Sequence, residues 1–430
     1  MVLCLIVQHR LPNEEPAKAA EGGVAVATRG TAAPSMLPGP SAATKSQLSG
    51  PSAATKSQLS GPSAATKSQR PTIEMVAKRA GVSRQTVSNA ANAPHRLRPE
   101  TLRKVLGVID ELGYRPSRAA RSLRTRSTQV IGCRLLPSNA GGTGGVLDRL
   151  LHALCDAARS KGYDVLTYSV TSDDEEIEVC DDMLRRSAVD GFVLSNTHHG
   201  DVRPEWLTAA GAHFVAFGRP WGEDNPGHSW VDVDGAAGTS EAVHHLVALG
   251  HSRIGCLALP EGSGTGDDRY RGWLRAIEEL GFRTEGLVAR AEDGIHSGKT
   301  LAEKLMSLPE PPTAIVCVSD ALALGAVRCL EDRGLEVGND VSVVGFDDSP
   351  VASVLRPRLT SVRQPIEAVA QELVEVLLAE ISGTRHRPSR TLLAPRVVAR
   401  ESSGPAPARG AGRATLTNLS NPREQQKGTN

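Results

Sequence analysis

Seven short runs rich in β-branched residues recur along this chain, and stretches of helical length separate them. The runs are "VIGCRLL" (130–136), "DVLTYS" (164–169), "GFVLS" (191–195), "HFVAF" (213–217), "RIGCLA" (253–258), "AIVCV" (314–318) and "VSVVGF" (341–346). Intervening segments such as "TSEAVHHLVALG" and "ALALGAVRCLEDRG" have amphipathic helical spacing and end in the glycine that closes a helix. Strands this apolar must be covered on both faces, which helices do in a parallel α/β arrangement. The pattern continues for about 270 residues, more than one twisted open sheet carries. Two parallel-sheet lobes facing a cleft are therefore expected over residues 128–403.

A different pattern precedes them. In "TIEMVAKRAGVSRQTVSNAAN", Thr72 can cap a helix whose inner face holds Ile73, Val76, Ala77 and Ala80. Gly81 suits a tight turn that needs a positive φ, and Ser83 can cap a second helix with Val87 turned inward. Arg84, Gln85, Ser88 and Asn89 are left on the outer face, beside Thr86 in the first turn. A third helix is predicted from Pro99 to Leu112, stopped by Gly113. This is a helix-turn-helix with a bracing helix over residues 70–115. Its second helix has the size to enter a major groove, where Gln and Asn can pair with adenine and Arg with guanine. Charge agrees. Residues 70–128 hold 13 Lys/Arg against 4 Asp/Glu, a balance of +9, although the whole chain stands at +1. A basic module attached to an acidic body points to a polyanionic partner. A small helical bundle without a ligand would not need arginine, glutamine and asparagine grouped on one short helix.

Between the two patterns lies "RPSRAARSL" (115–123), which favours helix but is too short to be stable alone in water. Arg118 and Arg121 suit phosphates, and Ala119, Ala120 and Leu123 offer a small apolar face. Residues 1–69 contain three copies of an 11-residue tract and lack the means to build a core, so a disordered leader is expected there. Translated sequence upstream of the true start would read the same way. Residues 404–430 are similarly polar, and a disordered tail is expected. The seven cysteines (4, 133, 155, 180, 256, 317, 329) form no CxxC pair, which fits a reducing cytoplasm. The opening "MVLCLIV" has no basic flank and is too short for a secretion signal.

The run "TIEMVAKRAGVSRQTVS…N", followed by "ELGYRPSRAARSLRT" and then "VIG", resembles the LacI/GalR family of bacterial transcriptional regulators. That resemblance extends over residues 71–402 and implies a body similar to a periplasmic sugar-binding protein. It implies that Arg84, Gln85 and Asn89 read bases, with Thr72, Ser83, Thr86 and Ser88 on the same DNA-facing side. It implies further that residues 116–127 form a hinge helix. There Arg118, Ala120 and Arg121 would meet DNA, and Leu123 would wedge between central base pairs. In the body, ligands of such folds sit outside the carboxyl ends of the strands. Arg269 and Asp347 would clamp a small polar ligand, Ser195 and Ser319 would add hydrogen bonds, and Arg219 or Trp221 would line the other lobe. Asp320 and Asp348 are expected to be structural instead, Asp320 as the cap of the following helix. The implied protein is a homodimeric repressor of operator DNA under control of a small-molecule effector, a sugar first of all.

Several motifs lead elsewhere and fall short. "GSGTG" (262–266) lacks the spacing of a dinucleotide loop, and "SGKT" (297–300) lacks the first glycine of a phosphate loop. His198–His199 and His244–His245 are adjacent, not at ligand spacing. No metal, cofactor or catalytic constellation stands out. A solute-binding protein for transport and a Rossmann-type enzyme are the rival readings. The helix-turn-helix argues against the first, and the missing phosphate fingerprint against the second.

Overall fold

The computed structural model describes residues 71–115, 127–135, 145–222 and 227–408. Arg118, Ala120, Arg121 and Leu123 of the expected hinge lie outside the described residues, as does the expected leader. The chain divides into two compact units between Ser117 and Arg118.

The first unit is a three-helix module of α1 (Ile73–Ala80), α2 (Arg84–Asn92) and α3 (Pro99–Leu112). The Thr72 hydroxyl accepts from the Met75 amide at 3.3 Å, and Ser83 accepts from Thr86 at 3.1 Å. Gly81 stands at φ 63°, a left-handed position that strains any residue with a Cβ, so the turn between the helices needs it. Val76, Ala77, Ala80, Val87, Ala90 and Val105 form the core, small enough at α1 for close helix approach. So few buried side chains make a module of modest stability, and the caps matter accordingly.

The second unit holds two six-stranded sheets. The strands are β1 (Val130–Leu135), β2 (Asp164–Ser169), β3 (Gly191–Leu194), β4 (Phe214–Phe217), β5 (Ser229–Val233), β6 (Ile254–Ala258), β7 (Val288–Arg290), β8 (Ala314–Cys317), β9 (Ser342–Asp347), β10 (Thr360–Arg363), β11 (Arg390–Leu393) and β12 (Arg396–Val398). The first sheet runs β11-β5-β4-β3-β1-β2 and is parallel throughout. The second runs β12-β10-β9-β8-β6-β7 and is parallel except for β12. All seven strands expected from the sequence are present. β5, β7, β10, β11 and β12 are additional.

Helices cover both faces, as fully buried strands such as β3, β6 and β8 require. Those that position the site are α4 (Val146–Ser160), α5 (Asp173–Arg185), α6 (Arg203–Ala209), α7 (Gly235–Ala248), α8 (Thr265–Glu279), α9 (Ile295–Met306), α10 (Asp320–Asp332) and α11 (Ile366–Ile381). Chain order does not follow the lobes. After β5 the chain leaves the first lobe, and Ala242, Val243 and Leu246 of α7 join the core of the second. After β10 it returns, and α11 supplies Ile366, Val369, Leu373 and Leu377 to the first. Between β11 and β12 it crosses again. Three short crossovers, at 233–235, 363–366 and 393–396, therefore join the lobes.

Candidate functional site

Two surfaces carry the residues singled out by the sequence. On α2, Arg84 and Gln85 are exposed, and Thr86, Ser88 and Asn89 are half-exposed. Val87 and Ala90 point inward, so the polar side chains share the outer face of a helix fixed by its core contacts. Gln85 Nε2 donates to Asn89 Oδ1 at 3.0 Å, one turn along. Such a pair aligns two amides that could each address a base edge. Arg84 Nη1 lies 2.7 Å from Glu74 Oε1 with both side chains about two-thirds exposed, a surface ion pair worth little and easily exchanged. Thr86 and Ser83 share a hydroxyl contact of 2.9 Å. The Ser88 carbonyl accepts from Asn92 at 2.8 Å.

The second surface lies where the carboxyl ends of the strands bring the lobes together. Asp347 ends β9, and its Oδ1 is 3.3 Å from Arg269 Nη1. Gln364, in the second crossover, donates to the same oxygen at 2.7 Å. Arg269 also donates to the Val318 carbonyl at 2.6 Å, and its guanidinium carbon sits 3.7 Å from the centre of the Phe346 ring. The ring supports the cation from below, and its Nε stays buried without a partner among the described residues. Asp347 holds φ 110° and Asp348 φ 48°, conformations a side-chain-bearing residue keeps only when its surroundings enforce them. Asp348 is ion-paired to Arg363 and Arg400, the structural part expected of it. From the other lobe, Arg149 on α4 donates to the Asp347 carbonyl at 3.4 Å. Burial pushes the Asp347 carboxyl up to about 7, while Arg269 opposes that shift.

Arg219 follows β4 and spans both lobes. Its Nε lies 2.8 Å from Asp232 and its Nη2 2.6 Å from Asp268. Trp221 lies beneath its guanidinium, 4.9 Å from carbon to ring centre. Ser319 is buried and committed, since it accepts from Leu322 N at 3.1 Å and donates to Asp293. Ser195 is 3 % exposed and, with Cys133 and Arg134, lines a cavity of about 30 Å³, room for about one water. The cleft thus brings Arg269, Asp347, Arg219 and Trp221 to the lobe interface and leaves both serines inside the lobes.

The sequence-based expectation for Asp320 is corrected. Ser319 caps α10, and Asp320 is its first residue, with its carboxylate accepting from Ser349 N and Ser361 Oγ at 2.6 Å each. Either of two adjacent polar residues can cap a helix, and tertiary partners on the 349–361 segment claimed the second. Gln364, Arg149, Asp232 and Asp268 were not singled out by sequence. Asp232 stands in the run "VDVDG" (231–235) and Asp268 just before "RYRGW" (269–273), but their role depends on the opposite lobe.

Two other features compete for attention. A cavity of about 580 Å³ is lined by residues 353–358 and Glu401 and includes none of the cleft residues. It follows the loop between β9 and β10, where Arg358 and Glu401 are paired and exposed. Asp173, His198 and Asp201 bring ligand-type atoms within 4.8 Å of one another. Arg203 already holds Asp201 at 2.6 Å, and His198 holds Asp173 at 2.7 Å, so each acid already has a side-chain partner. Among the described residues no helix is long and apolar enough to cross a membrane.

Comparison with known proteins agrees with this geometry. Residues 72–117 match the model for bacterial regulatory proteins of the lacI family, and residues 243–403 match a periplasmic binding protein-like domain. The chain is 34% identical over 343 residues to the HTH-type transcriptional regulator CelR of Thermobifida fusca, covering 77% of this chain and 98% of that one. It is similar to the structure of a CelR–cellobiose complex, with 32% identity, a TM-score of 0.59, and coverage of 78% and 100%. It is also similar to the lac repressor dimer bound to operator and the anti-inducer ONPF, with 26% identity, a TM-score of 0.67 and the same coverage.

Proposed function

Since this chain belongs to the lacI family of bacterial regulatory proteins, we propose that it is a repressor whose hold on operator DNA is set by a sugar in the cleft between its lobes. It is a DNA-binding transcriptional regulator, with α2 as the element that enters the major groove. Two copies would present two such helices to the half-sites of a pseudo-palindrome. The observation that carries the sensor half is the Arg269–Asp347 pair, with the arginine's guanidinium over the Phe346 ring. A fixed cation and a carboxylate side by side offer donors and acceptors to vicinal hydroxyls. Trp221, half-buried at the lobe interface, supplies an apolar surface of the kind sugar rings prefer. The cellobiose bound by the related regulator supports a disaccharide of that kind.

The chain carries no catalytic step in this reading, in keeping with the transcriptional regulators it resembles. An operator-binding role places it in the cytoplasm, with DNA, a sugar and a second copy as its partners. The test is a gel shift on DNA upstream of the protein's own gene, at two salt concentrations, with and without cellobiose and a panel of other sugars. Binding should weaken steeply with salt as counterions are released, and one sugar should release the upstream DNA. Equal affinity for upstream and random DNA would refute the regulator reading. A salt-sensitive specific shift that no sugar alters would refute the sugar reading alone.

A further inference from the structure

Beyond β4 the first lobe reaches the second at two neighbouring points. Arg219 Nη2 lies 2.6 Å from Asp268 Oδ2, in the first turn of α8. The same guanidinium holds Asp232 of its own lobe through Nε at 2.8 Å. Asp268 is 6 % exposed, and its Oδ2 also accepts from the Ala236 amide at 3.1 Å. The backbone of α7 thus fixes the carboxylate independently of the arginine. Two residues further on, the Trp221 indole lies flat against Gly264. A Cβ at Gly264 would stand 2.7 Å from indole Cγ and 2.8 Å from Cδ1 and Cδ2. Gly264 has φ 61°, so both its conformation and its bareness are required. The ion pair and the indole form one assembly, because the Arg219 guanidinium lies over the Trp221 ring.

This gives a use to "GSGTG" (262–266), which fails as a dinucleotide loop. Its glycine is the seat of an aromatic plane from the opposite lobe. It also changes the part played by Arg219, whose Nε and Nη2 are both taken by carboxylates.

We propose that Asp268 and Gly264 are positioning residues of the cleft: they fasten Arg219 and Trp221 of the first lobe onto the second and set how readily the lobes part. The proposal rests on the reading of this cleft as the effector site. An effector that favours the fastened arrangement binds more weakly whenever that arrangement is less populated, so the latch sets the concentration at which the regulator responds.

Trp221 reports on it directly. Acrylamide quenching and emission wavelength of the full-length protein are measured without sugar, and the signal of Trp221→Phe is subtracted. Asp268→Asn keeps an oxygen for the Ala236 amide but removes the charge from Arg219. It should raise quenching and shift emission to the red, as the fastened-to-parted ratio falls about ten-fold or more, the loss expected for one charge-assisted hydrogen bond. Gly264→Ala should do the same by unseating the indole. Arg219→Gln probes the pair from the other side with the Asp268–Ala236 bond untouched, so a folding defect of the aspartate variant does not decide the matter. The Arg219→Gln/Asp268→Asn double variant should quench no more than either single variant. Unchanged quenching in Arg219→Gln and Gly264→Ala, with native circular dichroism, would overturn the proposal, and so would additive effects in the double variant. Because no ligand enters this measurement, a latch that behaves as expected in a protein that binds no sugar leaves the latch standing and removes the sugar reading.

Discussion

The carboxyl of Asp347 is pushed up to about 7, chiefly by burial, and Arg269 limits the rise. Its ordinary value is about 3.9, so between these values the folded chain keeps a proton that the unfolded chain has lost. Stability from this group is therefore full at low pH, declines as pH rises toward 7, and is flat above. Thermal melts of wild type and Asp347→Asn should diverge accordingly, with wild type losing ground to the variant between about pH 4 and pH 7, the range set by those two values. Parallel melting curves would show that the carboxyl does not carry this burden. The same residue bears on recognition: Arg269→Ala or Asp347→Ala should weaken sugar binding about 10- to 150-fold, the cost of one charged hydrogen-bonding partner, and leave sugar-free DNA binding intact. Calorimetry showing unchanged affinity in both would remove them from the site. These two residues were singled out through the family resemblance; the structure puts Asp347 at the carboxyl end of β9 and Arg269 just past the first turn of α8. Ser319 and Asp320 were harder, because one residue of register decides which side chain caps α10 and which turns to Ser361. Arg149 and Gln364 were not legible, since what makes them matter is Asp347, far away in the chain.

Among the elements, α2 is short and depends on its cap. Ser83→Ala should cost about 1 kcal/mol, seen as faster amide exchange in α2 while the sheets of the body are unaffected. Exchange unchanged at Thr86 and Val87 would mean that packing alone holds the helix. The hinge, residues 116–127, lies outside the described residues, and its role comes from the resemblance of "RPSRAARSL" to the family pattern. If Leu123 wedges into a central step, Leu123→Ala should weaken operator binding and spare binding to random DNA, because Arg118 and Arg121 remain. Affinities for both DNAs at one salt concentration check this, and equal losses would sink it. Apart from β2 at the edge of the first sheet, the strands that sequence reading found are central ones with nearly continuous apolar runs. Those it passed over lie toward the edges or at the crossovers and are short, and β7, β10, β11 and β12 each carry an arginine. β11 pairs with β5 more than 150 residues earlier in the chain, and no local pattern announces such a partner.

At the scale of the whole molecule, charge and function are divided the same way. Residues 70–128 carry +9 within a chain of +1, so DNA affinity should reside there. A chain beginning at Val130 should lose operator binding and keep sugar binding, whereas removal of residues 1–69 should change neither. Operator binding by the shorter chain would overturn the division. The body itself is not divisible in this way. Its first lobe is built from residues on both sides of the second, because α11 and β11 follow β10 in the chain and complete the core and the sheet that β1 began. During synthesis, domains generally fold as they emerge. The DNA reader can fold early on the ribosome, but the first lobe must wait, with Ile131, Leu150, Leu154 and Val193 uncovered, until nearly the whole chain is made. A nascent chain of this regulator can therefore hold a folded DNA-binding module before the sensor that governs it exists, and the interval between the two is set by the last crossover.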